Sequence, residues 1–253
     1  MTDDRGIWLY AITRREAADA GAGRTGVAGE TSRTIAVGRL AAIVGDVPLA
    51  GFGEEALRRN FEDLDWLCAV ARTHDAVVSA VGGPVVPIRL ATVYRDDDRV
   101  RRVLEHRTTE LERTLDRLTG RTEWGVKAFL DLARARGHED SPSRRGAGTA
   151  YLARRRAERD ARADSERLAT EQTSKVHSRL AGLAAGARLH PLQSKALSGR
   201  SEQMVLNAAY LVDDDRARAF AEAVAACDEE NTAIRVQLTG PWPPYSFSSW
   251  EEG

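Results

Sequence analysis

The segment Gln203-Met204-Val205-Leu206-Asn207-Ala208-Ala209-Tyr210-Leu211-Val212 decides the fold class. It is apolar apart from its amides, holds no Gly or Pro, and reads as a strong β-strand. Just after it, Asp213-Asp214-Asp215 supplies an acidic cap for a helix over Arg216–Cys227. Ile234, Val236 and Leu238 then alternate in a last strand. Before it, Arg188–Ala196 is a weaker strand and Thr149 to about Leu183 a long helical pattern. Further upstream Thr122–Leu130 alternates Trp124, Val126 and Ala128, a strand, and the polar stretch Arg134–Gly148 reads as a flexible loop. Strand, helix, strand, strand, helix, strand is the ferredoxin-like βαββαβ order, an antiparallel sheet covered on one face by two helices. The front of the long helix, Arg154 to Arg167, mixes six arginines with four acids and has almost no apolar residue larger than Ala. A helix polar all round bridges solvent or packs on a partner.

The first half gives a variant of the same α+β plan. Gly6–Thr13 (GIWLYAIT) is a buried strand, and Glu16–Glu30, rich in Gly and Ala, is a loop. Arg33–Val37 and Leu40–Val47 form a hairpin around Gly38-Arg39. Glu54–Val81 is read as one helix whose stripe is Leu57, Phe61, Leu64, Cys68 and Ala71. Pro84–Tyr94 (PVVPIRLATVY) is a strand in which Pro87 calls for a bulge or a sheet edge. Asp96-Asp97-Asp98 opens a helix that buries Val100, Leu104, Leu111, Leu115 and Leu118 and stops at Gly120. The expected division is therefore two ferredoxin-related domains, residues 1–120 and 121–253. The second carries the long helix, about 149–186, and a C-terminal arm, 240–253.

That arm, Gly240-Pro241-Trp242-Pro243-Pro244-Tyr245-Ser246-Phe247, holds three prolines, so it is neither helix nor central strand and runs extended. Trp242, Tyr245, Phe247 and Trp250 crowd its end of the chain. A stiff, ring-bearing segment loses little entropy on docking. Two readings stay open: the arm packs on its own domain, or part of it contacts another protein.

The 253 residues have a net charge of −1 and are 30% charged, as in a soluble protein with no field directed at nucleic acid or an anionic membrane. Met1-Thr2-Asp3-Asp4 does not open a secretory signal, and no apolar run is long enough for a membrane span. Cys68 and Cys227 read as small core residues of a reducing cytoplasm. No phosphate-cradling loop, nucleophile elbow or metal-ligand spacing occurs, and no cofactor is expected. His74 reads as a satisfied helix-face histidine rather than a base. Arg89, inside an apolar run, needs an ion pair, an edge position or a ligand.

Taken together, GIWLYAI, ARTHDAVVSAV, PVVPIRLATVY, EWGVKAF, GTAYLARRR, LNAAYLVD and LTGPWPPYSF, in that order, resemble the gas vesicle protein F/L family along the whole chain. The resemblance implies a non-enzymatic accessory or minor structural protein of gas vesicles, the hollow protein-walled flotation compartments of some bacteria and archaea. It implies a cytoplasmic, gas-vesicle location and contact with the small hydrophobic main shell protein and other accessory gas vesicle proteins. The candidate contact residues are Trp242, Pro243, Pro244, Tyr245 and Phe247 of the arm, with Pro87 and Arg89 at a strand edge. Leu90-Ala91 is a departure, since relatives tend to carry Phe-Gly there. The alternative is a small-molecule enzyme or sensor with a cavity between sheet and helices, whose mark is a closed pocket of converging polar groups.

Overall fold

A computed structural model of the chain describes residues 4–131, 149–193 and 202–248. It divides into two compact units, residues 1–123 with 242–253, and residues 124–241. The arm expected to belong to the second domain thus belongs to the first unit.

In the first unit the strands are β1 (Arg5–Arg14), β2 (Arg33–Val37), β3 (Leu40–Pro48), β4 (Val85–Pro87) and β5 (Val93–Tyr94). The sheet order is β2-β3-β1-β4, with β5 also paired to β1, and every pair is antiparallel. β1 is buried almost throughout because it is the central strand. The single strand expected over Pro84–Tyr94 is two pieces. Ile88 N–H still donates to Tyr10 O and Thr92 O accepts from Leu9 N–H, so the chain leaves the edge of β1 and rejoins it. Between them Arg89 turns outward, and Ala91 takes a left-handed φ of 67°. Pro87 ends β4 on an edge, where its missing N–H costs no ladder bond. Arg89 therefore leaves the strand and stands exposed.

Ala91 keeps the conformation that glycine adopts freely, and for an L-residue this costs about 1–2 kcal/mol. Glycine gives part of that back through a more disordered unfolded chain. Ala91→Gly is expected to raise stability by about 0.5–1 kcal/mol. A higher urea midpoint at unchanged slope is the check, and a lower midpoint contradicts the geometry.

The helix expected over Glu54–Val81 is two, and a further short helix stands before it. α1 (Leu49–Phe52) and α2 (Glu54–Asn60) precede α3 (Leu64–Ser79). Asp63 forces the break, since its carboxylate accepts from Asp65 and Trp66 N–H and caps a new helix. The expected stripe fails with it. Leu64 is 72% exposed and Cys68 is exposed, while Val70, His74, Val77 and Val78 face the core. The single helix expected from Asp96 to Gly120 is two, α4 (Asp97–His106), capped by Asp96, and α5 (Thr108–Leu118), parted at Arg107, whose backbone leaves the helical region. Together they bury Val100, Leu104, Leu111, Leu115 and Leu118 as the periodicity requires. Arg33 forks onto both Asp46 and Asp97, tying the hairpin to the start of α4 and holding Asp46 below the usual carboxylate range.

The second unit contains β6 (Arg121–Leu130, which begins in the first), α6 (Thr149–Ala181), β7 (Gly186–Leu189), β8 (Met204–Asp213), α7 (Ala217–Glu230) and most of β9 (Ile234–Trp242). Its sheet order is β7-β8-β6-β9, with β7 and β8 antiparallel. In both sheets the order by appearance is second, third, first, fourth. The fold is mixed α and β with antiparallel sheets. β9 continues through Gly240 and Pro241, which an edge strand tolerates and a central one does not. Leu206, Ala208, Tyr210 and Val212 share a core with Val176 and Leu180 of α6 and Phe220, Val224 and Cys227 of α7. α6, about 50 Å long at 1.5 Å per residue, buries Ala169, Val176 and Leu180, whereas Arg155, Arg156, Arg159 and Arg167 of its front half are exposed. The loop expected at Arg134–Gly148 lies outside the described residues. The strand expected over Arg188–Ala196 starts earlier and is shorter, β7 ending at Leu189; His190 to Gln193 are not strand, and 194–196 lie outside the described residues.

Candidate functional site

The arm is tied to the first unit by polar contacts from four elements. Glu123, only 7% exposed, accepts from both the N–H and the hydroxyl of Ser246, each at 2.7 Å. From α5, Arg117 donates to Phe247 O at 2.5 Å. Ser248 donates its hydroxyl to Pro87 O at 3.3 Å, and Tyr245 reaches Asp75 of α3 at 3.5 Å. Proline at 241, 243 and 244 removes the backbone donors that would otherwise need partners here. Pro244 and Phe247 are buried. Burial pushes the Tyr245 hydroxyl above its ordinary range, with Asp75 beside it adding to the effect. Burial likewise raises the Asp75 carboxyl, against the hydrogen bond from Tyr245.

The candidate contact residues thus separate. Tyr245, Phe247, Pro244 and Pro87 lie within one cluster, with Ser248 joining the arm to Pro87. Pro243 is half-buried. Trp242 remains outward, 46% exposed, and Arg89 is exposed with no ion pair among the described residues. Trp250 lies outside the described residues. The anchors Glu123, Arg117 and Asp75 were not legible in the sequence, because nothing local marks them and each is far from the arm along the chain.

His74 is a core residue. It is 2% exposed, accepts from the Trp8 indole N–H at Nδ1 (3.0 Å), and its Nε2 lies 3.0 Å from Ile88 O. With Nδ1 accepting, Nε2 carries the proton, and the ring is neutral. Burial lowers its pKa to about 4, the bond to Ile88 O opposing this. Trp8 and Tyr10 pack on its ring, Phe52 packs on Trp8 and Trp66 on Phe52, so these rings form one cluster. Tyr10 donates to Glu30 and accepts from Val27 N–H, which folds the Gly-rich segment over the cluster. Gly26 and Gly45 leave the space that the Glu30 carboxylate occupies. Glu30 was another contact that the loop reading did not reveal.

These groups are structural in their partners. Two surface depressions stand near them in the first unit, one of about 560 Å³ between α1, α2 and β5, the other of about 460 Å³ along α5. Neither is lined by His74, Tyr10, Asp75 or Tyr245. Among the described residues no group of three or more His, Cys, Asp or Glu is placed to hold a metal, and no helix is long and apolar enough to cross a membrane.

The family model of gas vesicle synthesis protein GvpL/GvpF matches residues 6–249. Gas vesicle protein L of Streptomyces sp. (strain CB03234) is 42% identical over an alignment covering 100% of this chain and 96% of that protein. Gas vesicle protein F of the same strain is 29% identical over 85% of this chain and 87% of its own length. The crystal structure of gas vesicle protein GvpF from Anabaena sp. PCC7120 superposes with a TM-score of 0.67, covering 98% of each chain at 18% identity, a likeness of fold. With that match running from the first strand to the end of the arm, the chain belongs to the gas vesicle synthesis protein GvpL/GvpF family.

Proposed function

We propose that this chain is an accessory protein of gas vesicle assembly that binds the hydrophobic main shell protein at the forming vesicle. In this reading it works in the cytoplasm, beside other accessory gas vesicle proteins, and carries out no reaction. A shell subunit destined for an apolar-lined wall aggregates if left exposed, and a soluble partner that covers its apolar surface prevents this. The observation that carries the reading is Trp242: a large ring 46% exposed at the root of a segment whose next six residues are held in place. A pre-positioned tryptophan is an efficient anchor for an apolar partner, because little further ordering is needed. Both units are read as ferredoxin-related modules, and the shared strand order supports that reading. The first would keep its βαββαβ plan with the leading helix reduced to a 3-10 helix, Arg15–Ala20, within the segment expected as a Gly-rich loop.

A pull-down of the main shell protein tests this. Trp242→Ala, on an exposed side chain, is expected to leave the melting temperature nearly unchanged and to cut capture about tenfold. Equal capture by a folded variant removes Trp242 from the interface.

A further inference from the structure

We propose a second contact surface for the shell subunit: the depression of about 560 Å³ between α1, α2 and β5, which takes an apolar segment carrying a carboxylate. This rests on the shell-binding reading above and adds a location and a chemistry to it.

The floor is apolar, made by Leu49, Leu57, Phe61 and Val93. Phe61 is 40% exposed, so the depression shows a large apolar ring to solvent. Phe61 is not loose. Its ring lies 6.1 Å from Trp66, Trp66 lies 5.9 Å from Phe52, and Phe52 lies 5.7 Å edge-on to the fully buried Trp8. A surface ring braced by three others down to the core loses little freedom when a partner covers it.

Charge selects the occupant. Arg58 at the rim is already matched by Glu54 at 2.6 Å. Arg95 also lines the depression and has no ion pair among the described residues. Arg89, exposed in the same segment leading into β5, has none either. A wholly apolar segment laid here would desolvate Arg95 with nothing to compensate it, which opposes docking. A segment that sets a carboxylate against Arg95 and apolar side chains against Phe61 satisfies both. A basic segment is repelled, so the surface discriminates by sign.

The test is capture of the main shell protein by the full chain at low and high salt. Phe61→Ser and Arg95→Glu alter exposed side chains, and circular dichroism checks that both fold. Each is expected to lower capture about tenfold, and Arg95→Lys to retain most of it. Capture by wild type is expected to weaken with salt, and the salt dependence to shrink in Arg95→Glu. If the wild type captures the shell protein and both variants capture it equally well, this surface is overturned while the shell-binding reading stands. If wild type captures nothing, that reading and this surface fall together. Loss in Phe61→Ser with none in Arg95→Glu overturns the carboxylate requirement.

Discussion

Replacing Glu123 by alanine is expected to destabilise the first unit by about 3 kcal/mol and to release the C-terminal arm, the two hydrogen bonds to its carboxylate being charge-assisted. Glu123 is nearly buried and holds the N–H and hydroxyl of Ser246 at 2.7 Å each. Its loss takes both carboxylate bonds from Ser246 and weakens the placement of Phe247, whose carbonyl Arg117 holds. Glu123→Gln keeps an acceptor for the Ser246 N–H, and the expected cost falls to about 1 kcal/mol. Chymotrypsin reads out the arm directly, since cleavage after Tyr245 or Phe247 requires undocking. Accelerated cleavage in Glu123→Ala, with Glu123→Gln between it and wild type, is the expected result. Equal protection in all three means that Glu123 does not hold the arm.

The second large effect is on pH. His74 is neutral in the fold with a pKa of about 4, against an ordinary value near 6.5. The unfolded chain therefore takes up this proton first as pH falls. The contribution of His74 is fully present above pH 6.5 and is lost progressively between 6.5 and 4, in all about 3 kcal/mol. His74→Gln can still accept from Trp8 and donate to Ile88 O but does not titrate. Its stability is expected to fall less steeply than wild type over that window, by about 1.4 kcal/mol per pH unit for one proton. Parallel curves for the two proteins contradict a buried neutral His74. Asp46, held low by Arg33, and Asp75, raised by burial, are common to both proteins and cancel in the difference curve, which leaves it to His74.

Sequence periodicity located nearly every element because most are regular and amphipathic or alternating. The stripe Val100, Leu104, Leu111, Leu115 and Leu118 is the clear example, and its residues are all buried. It failed where a single polar side chain overrode a pattern. Asp63 caps a new helix in the middle of an apolar repeat, so Leu64 and Cys68 turn outward and Val70 and His74 turn inward. Pro87 signalled an edge, but the left-handed turn at Ala91 was hidden, because alanine does not announce that conformation as glycine does. The arm was visible as stiff and ring-bearing. Its landing place was not, because Asp75, Pro87, Arg117 and Glu123 are set by tertiary geometry across more than a hundred residues.

The first unit thus carries an arm locked to it with Trp242 turned outward, and a braced ring at Phe61 beside Arg95, which has no ion pair among the described residues. In the proposed role these surfaces hold the main shell protein. The most direct measurement is to produce that subunit with and without the full chain and to follow its fraction in solution by sedimentation. The expected result is a soluble complex of defined stoichiometry that runs as one species. Shell protein that pellets to the same extent with the chain present, while the chain itself stays folded and free in the supernatant, contradicts it.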